Sequence, residues 1–333
     1  MKRLNVVILA AGKGERMLSR KPKVMHEIMG KPMIGHVVER AQELSPSRVV
    51  VVTGFGREMV EAYLKGSKVD VSVQAEQKGT AHALLSAEKF IDRGDILVLY
   101  GDVPLIEIST LRNFLSFYMT FNTVSFLTTK VDDPKGYGRV IMETEDITEI
   151  VEDADATDDE KKVDEINTGI CIIPEECFQL LKLIKPDNKK EEYYLTDICK
   201  VAKNRGLKIK GCHHDKAAEV LGINSKKELL DANIVMRERM LEKHMQKGVT
   251  FLDKNVYIES NVVIGRETTI FPNCCLFGNS VIGNDVVIGP NTVIKNSKIN
   301  DNVSIEGYSI IEGAEVEMDA FIEAFSRIKQ NNS

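Results

Sequence analysis

From residue 258 onward, aliphatic side chains return at every sixth position: Ile258, Ile264, Ile270, Leu276, Ile282, Ile288 and Ile294. Two five-residue steps then carry the series through Ile299, Ile305 and Ile311 to Val316 and Ile322. No α-helix and no ordinary strand has this period. It belongs to a parallel β-helix, where each hexapeptide forms one flat side of a triangular coil and its aliphatic residue stacks inward. Gly and Asn, which tolerate left-handed backbone, are expected at the corners. Twelve inward positions at three per coil give about four coils.

The chain before this repeat has another rhythm. Strand-like runs at Leu4–Leu9, Val49–Val52, Val69–Gln74, Ile96–Tyr100 and Val124–Thr129 alternate with helix-like runs at Pro32–Glu43, Arg57–Lys65, Thr80–Phe90 and Thr110–Tyr118. Such alternation predicts an α/β fold with a mostly parallel sheet, whose ligands bind beyond the carboxyl ends of the strands. The loops after Leu9, Gln74 and Tyr100 therefore share a rim. Residues 143–165 are strongly acidic and read mainly as a solvated edge. Ser225 and Glu228 have capping-box spacing and open a helix that Gly248 ends. Leu229, Leu230, Ile234, Met236, Met240, Leu241 and Met245 offer it apolar contacts. The expected division is an α/β domain over 1–224, a connecting helix over 225–248, a β-helix over 249–328 and a polar tail over 329–333.

A chain of 333 residues is long enough for two domains with real cores. Its net charge of −6 provides no basic field for nucleic acid. No apolar run approaches the length of a membrane span, and Gly12 and Lys13 interrupt the first apolar run too early for a signal peptide. The six cysteines show neither a disulfide framework nor a Cys-x-x-Cys pair, which fits a reduced, cytoplasmic protein. Cys212-His213-His214-Asp215 brings four potential metal ligands together in sequence, but neighbours in a strand point to opposite faces and do not converge.

The chemistry concentrates after the first strand, in Leu9-Ala10-Ala11-Gly12-Lys13-Gly14-Glu15-Arg16-Met17. Glycines allow a sharp turn and close approach to a ligand, and successive backbone N–H groups form an anion nest. Lys13, Arg16 and Lys23 add positive charge, so a nucleotide phosphate chain is the natural guest. A Walker loop is excluded because no Gly-Lys-Ser/Thr follows. A dinucleotide fingerprint is excluded because Met17 stands where its third glycine belongs, and Thr53-Gly54-Phe55 replaces the acidic ribose ligand. Asp102 follows the apolar run Ile96–Tyr100 and Gly101, at a strand's carboxyl end. A carboxylate there suits a hard cation such as Mg2+, or else caps a turn before Pro104. Gln74 also ends a strand, and its amide offers both donor and acceptor to a base edge.

The glycine loop with Lys21-Pro22-Lys23 resembles the signature of the sugar-1-phosphate nucleotidyltransferases. From residue 1 to about 300 the chain is similar to the bacterial N-acetylglucosamine-1-phosphate uridyltransferases. That resemblance implies a Rossmann-like domain followed by a short left-handed parallel β-helix. It also implies a reaction forming UDP-N-acetylglucosamine and pyrophosphate from UTP and N-acetylglucosamine-1-phosphate with Mg2+. In such an in-line displacement two anions must be aligned and their charge neutralised. Arg16, Lys23 and Asp102 would be catalytic, and Asp102 and Asn224 would hold the metal. Leu9, Ala10, Ala11, Gly12, Lys23, Gln74, Gly79 and Thr80 would bind the nucleotide, with Gln74 in the uracil-reading run Gln74–Ala83. Tyr100, Gly101, Asp102, Gly138, Glu152, Asn167, Glu192, Tyr194 and Thr196 would bind the sugar.

The family's bifunctional members add an acetyltransferase on the β-helix, with a His as base. Here no His follows His244, and residues 307–329 do not reproduce that domain's Arg-bearing loop, so acetyl transfer is not expected. Three such β-helices pack around an axis in similar proteins, which implies a homotrimer. The rival readings are a sister enzyme for thymidylyl transfer or glucose-1-phosphate, a catalytically silent regulatory subunit, and an acetyltransferase alone.

Overall fold

A computed structural model describes residues 3–329. It has two compact units. One is built from the chain up to His26 and from Pro32–Lys226, the other from Glu27–Lys31 and the chain from Lys227 onward.

The first unit is built on a nine-stranded sheet. Its strands are β1 (Leu4–Ala10), β2 (Arg48–Thr53), β3 (Asp70–Val73), β4 (Asp95–Tyr100), β5 (Ser125–Lys130), β6 (Arg139–Glu143), β7 (Asp146–Val151), β8 (Glu165–Ile173) and β9 (Ile209–His213). Their spatial order is β3-β2-β1-β4-β8-β5-β9-β7-β6. The block β3-β2-β1-β4 is wholly parallel. Beyond it β8 runs antiparallel to both β4 and β5, so the second half of the sheet is mixed.

Side-chain alternation explains the layers. Val7 and Leu9 of β1, Val50 and Val52 of β2, and Ile96 and Val98 of β4 enter one core. Val6, Ile8 and Ala10, with Val49, Val51, Leu97 and Leu99, enter another on the opposite face. Strands buried on both faces need helices on both faces. α3 (Thr80–Ser86) and α5 (Ile198–Lys203) cover the first core. α1 (Met33–Glu43), α2 (Arg57–Leu64) and α4 (Ile108–Phe121) cover the second.

The expected elements are present, with shifted ends. The helix expected over Thr80–Phe90 stops at Ser86, where the Ser72 hydroxyl bonds the Ser86 carbonyl at 2.6 Å, and a 3-10 turn follows at Glu88–Phe90. α4 starts earlier and runs further than expected. It ends at Asn122, whose left-handed backbone (φ 48°) lets its N–H bond the Tyr118 carbonyl at 2.7 Å.

In the second unit, three parallel sheets of five, five and four short strands form the three-sided β-helix. Paired residues are 18 apart where the period holds, as in Ile270 with Ile288, and 17 apart across a five-residue step, as in Ile282 with Ile299. Eleven of the twelve predicted inward residues are at most 5% exposed, and Ile322 is half-buried. Each fully buried aliphatic contributes roughly 1.5–3 kcal/mol. Phe251 and Ile328 add a rung at either end, so the stack is nearer five coils than four.

The corners are chemically wider than expected. Asn273, Asn291, Asn296 and Asn302 take left-handed backbone, but so do Glu267, Asp285, Asp319, Tyr308 and Phe325. Asn273 donates to Asn291 across one corner at 3.2 Å, and Tyr308 and Phe325 continue that column as a ring stack with centroids 5.2 Å apart. These two rings are exposed, so the strain of their backbone is the only local cost.

Two features of this unit depart from the sequence reading. In the helix α6 (Lys226–Met245), Leu241 is buried but Leu230, Ile234 and Met245 are exposed, because its apolar residues spread around the axis and form no single stripe. The segment Glu27–Lys31 also belongs here. Its turn docks on the first coil, where the Met29 carbonyl accepts from the Ser260 N–H at 3.0 Å and the Met29 N–H donates to Asn233 at 3.1 Å. Gly30 is required at that turn: its φ is 75°, and a Cβ would fall 2.5 Å from the Glu259 carboxyl carbon. Of the expected polar tail, residues 330–333 lie outside the described residues. Among the described residues no helix is long and apolar enough to cross a membrane.

Candidate active site

The carboxyl ends of β1, β2 and β4 form the rim on which the candidate residues meet. β1 delivers Leu9, Ala10 and Ala11, all buried, into the glycine loop. Two backbone bonds hold that loop against its neighbours. The Gly101 N–H donates to the Leu9 carbonyl at 3.0 Å, and the Phe55 N–H to the Ala11 carbonyl at 3.1 Å. Gly12 is exposed, and a Cβ there would meet nothing within 4 Å. Gly14 has φ 67°, and a Cβ on it would fall 2.5 Å from the Cβ of Lys23. The glycine thus lets the lysine stem pass beneath the loop.

Lys23 Nζ donates to a carboxylate oxygen of Asp102 and, at 2.9 Å, to Oδ1 of Asn224. Asn224 is separated from Lys23 by 201 positions in the chain. The Asn224 amide is fixed by its own Nδ2, which donates to the Gly222 carbonyl at 2.8 Å. The Asp102 backbone carbonyl accepts from the Ile223 N–H at 2.9 Å, which pins the two segments together. Asp102 is only 9% exposed, so its charge is poorly hydrated and the ammonium compensates it. Two hard oxygens converging on one cation are a donor set that fits Mg2+. Arg16 does not join this group: it is exposed, and its guanidinium lies on the side of Gly136.

The next part of the rim is built by a clamp. The Tyr193 N–H donates to the Lys78 carbonyl at 2.8 Å, and the Ala81 N–H to the Tyr193 carbonyl at 2.9 Å. The Leu195 N–H donates to the Thr80 hydroxyl at 2.8 Å. Gly79 sits inside this clamp with φ 104°, and a Cβ there would strike the Tyr193 carbonyl oxygen at 2.6 Å. Gln74 is 3% exposed, and its Nε2 lies 3.0 Å from the Gly79 carbonyl and 3.0 Å from His82 Nδ1.

A third group surrounds a cavity of about 120 Å3 lined by Glu152, Asp155, Asn188, Tyr194, Thr196 and Lys200, among others. The Thr196 hydroxyl donates to Glu152 at 2.9 Å. Burial pushes the Glu152 carboxyl above its ordinary range, against the lowering effect of that hydrogen bond. Burial also raises the Tyr194 phenol, whose hydroxyl is buried with no hydrogen-bond partner. Such an orphan in a cavity wall awaits a guest with a donor or acceptor. Gly138 backs Glu152 closely, since a Cβ there would lie 3.5 Å from its Oε1. β8 shifts register between Asn167 and Cys171, and Asn167 Oδ1 accepts from the Gly169 N–H at 3.0 Å inside that irregularity. Gly169 has φ 86°, and a Cβ would fall 2.6 Å from the Tyr100 ring. Burial drives the Tyr100 phenol upward.

Residues 6–139 match the family model of the MobA-like NTP transferase domain. The bifunctional protein GlmU of Caldanaerobacter subterraneus subsp. tengcongensis is 45% identical over 265 residues, which cover 78% of this chain and 58% of that protein. The GlmU of Pelotomaculum thermopropionicum is 44% identical over 255 residues, 75% of this chain and 56% of that one. The chain carries an NTP transferase domain and is similar to the GlmU proteins over about three quarters of its length. It spans a little over half the length of these relatives. A UDP-glucose pyrophosphorylase solved in complex with UDP-glucose shares the fold. The match has a TM-score of 0.60 at 23% identity and covers 72% of this chain and all of that one.

The nucleotidyltransferase rim unites most of the residues expected from the sequence. Lys23, Asp102 and Asn224 share one charge cluster, Gln74, Gly79 and Thr80 share the clamp, and Glu152, Tyr194 and Thr196 share the small cavity. Glu192 is held through its backbone, with Asn188 Nδ2 donating to its carbonyl at 2.6 Å, and its charge acts on Tyr194. Sequence reasoning missed the roles of Tyr193, Asn188 and His82. The signal for His82 is its place in the run Gln74–Ala83, early in the helix that follows Gly79. In Cys212-His213-His214-Asp215 the four side chains do not all converge, although two of them meet: His213 lies 2.9 Å from Glu165 and 3.4 Å from Asp215, and His214 lies 3.3 Å from Glu219. Among the described residues no three His, Cys, Asp or Glu side chains gather as a metal cage. A separate concavity of about 720 Å3 lies at the amino ends of β2 and β3 around Arg48 and Asp70, and it contains none of the candidate residues.

Proposed function

We propose that this nucleotidyltransferase forms UDP-N-acetylglucosamine and pyrophosphate from UTP and N-acetylglucosamine-1-phosphate. The reading is carried by the convergence of Lys23, Asp102 and Asn224 beside an open glycine loop. The loop N–H groups and Arg16 receive the triphosphate, and Lys23 turns from the carboxylate to a phosphate oxygen when the nucleotide arrives. Asp102 and Asn224 would hold Mg2+, which would supply charge neutralisation at the α-phosphate. Gln74 reads the base. Gly138, Glu152, Asn167, Tyr194 and Thr196 receive the acetylated sugar, whose hydroxyl and amide groups match the buried acceptor and the orphan phenol.

The β-helix carries no His, and the reading gives it a structural role without acetyl transfer. Its outward-facing Val263, Val281, Val287 and Phe321 support assembly into a homotrimer, which a monomeric mass at micromolar concentration by analytical ultracentrifugation would refute. All six cysteines are unpaired, in keeping with a cytoplasmic protein.

The deciding experiment is pyrophosphate release with Mg2+ across UTP and TTP, each with N-acetylglucosamine-1-phosphate and glucose-1-phosphate. Turnover chiefly with UTP and the acetylated sugar is the expected result. Another preferred pair moves the protein to a sister specificity, and acetylation of glucosamine-1-phosphate from acetyl-CoA would overturn the structural role of the β-helix.

A further inference from the structure

We infer that His82 is a specificity-determining residue, because it locks the Gln74 carboxamide so that only its oxygen faces the base. The inference rests on the reading of Gln74 as the base reader. The Gly79 carbonyl can only accept a hydrogen bond, so the Gln74 group lying 3.0 Å from it is the amide nitrogen. The same nitrogen lies 3.0 Å from His82 Nδ1. With one N–H committed to Gly79, the second points at His82, and Nδ1 must accept it. His82 is therefore held as the neutral tautomer with its proton on Nε2. Both amide hydrogens are spent, and among the described residues nothing donates to Gln74 Oε1.

A carboxamide fixed in this way shows an acceptor alone. Uracil presents N3–H to it and forms a hydrogen bond. Cytosine presents the lone pair of N3 in the same place, and two acceptors face each other. Without the second tether the amide is held by Gly79 alone and turns more easily to offer its N–H to cytosine. Gly79 cannot be replaced as the first tether, since its φ of 104° and the Tyr193 backbone admit no side chain. His82 is thus the position at which selectivity can be changed without rebuilding the loop.

The test compares kcat/KM for UTP, CTP and TTP in the wild type, His82→Phe, His82→Asn and Gln74→Ala. His82→Phe keeps a ring but has no acceptor, and the UTP-to-CTP ratio should fall about tenfold, the loss of one hydrogen bond. His82→Asn places Oδ1 near the former Nδ1 and should restore the ratio to within about threefold of wild type, a small fraction of a hydrogen bond. The UTP-to-TTP ratio should not move in either variant, because uracil and thymine share the N3–H edge. An unchanged UTP-to-CTP ratio in His82→Phe, with a collapsed ratio in Gln74→Ala, overturns the role of His82 while leaving Gln74 as the reader. An unchanged ratio in Gln74→Ala overturns the reading of Gln74 itself. Nitrogen NMR of the wild-type imidazole provides a check that needs no variant: a neutral ring carrying its proton on Nδ1 overturns the proposal.

Discussion

The two units solve the same problem, burying aliphatic side chains, with opposite economies of contact. In the sheet unit each of β1, β2 and β4 feeds two cores, and every core residue leans on elements far away in sequence. In the β-helix each inward residue pairs with a partner 17 or 18 positions away and shares one core with the inward residues of the other two sides. The first arrangement creates a rim where residues as distant as Lys23 and Asn224 meet. The second yields regular flat faces, where charges from successive coils meet at the surface, as Lys295 and Lys329 do on Glu312. Chemistry collects where long-range contacts cross, and the repeat supplies surface.

The comparison can be broken most directly at the rim. Asp102→Ala should lower turnover about a thousandfold by removing the carboxylate that pairs with Lys23, while the thermal midpoint falls by a smaller margin, since the nearly buried ammonium loses its charge partner but keeps Asn224. Steady-state pyrophosphate release and a thermal melt check both halves of that statement. In the repeat, Ile288→Ala should do the reverse. It empties a fully buried position and should cost about 3 kcal/mol in denaturant unfolding, with kcat unchanged. A fall in kcat there would show that the units are energetically coupled.

Acid sharpens the contrast further. His244 is buried on α6, its Nδ1 has no hydrogen-bond partner, and burial pushes its pKa down to about 4 from 6.5. A depressed histidine is neutral when folded and binds a proton more readily when unfolded. Its contribution, about 2 kcal/mol, is present above pH 6.5 and is lost as the pH falls toward 4. Denaturant midpoints across that range should fall in the wild type and flatten in His244→Leu. The smallest effect is expected at the aromatic corner. Tyr308→Asn should stabilise the β-helix by about 1 kcal/mol, since Asn takes left-handed backbone more readily and extends the Asn273–Asn291 ladder.

These differences also decide what could be read from the residues alone. The inward series was visible because a repeat writes its contacts at a fixed spacing, and the strands of the sheet because burial on both faces leaves unbroken apolar runs. The Lys23–Asp102–Asn224 cluster was legible only through resemblance, since no local pattern ties residues 201 positions apart. Nothing in Glu27–Lys31 announces that it docks beside Glu259, because one backbone bond and one glycine turn carry that contact. The apolar residues of α6 suggest a packed face by their number, but they spread around the axis and form none. His82 lies inside the run Gln74–Ala83 with no role evident from the sequence, because its function depends on a carbonyl that has no side chain to notice.

The five-residue steps have a consequence of their own. Each drops a residue between one inward position and the next, yet Ile282 still meets Ile299 and Ile294 still meets Ile311. The corner behaves like punctuation outside a reading frame: a character can be deleted there and the next word begins in phase. A chain built this way can be shortened at its seams, one residue at a time, while every word stays aligned with the one stacked against it.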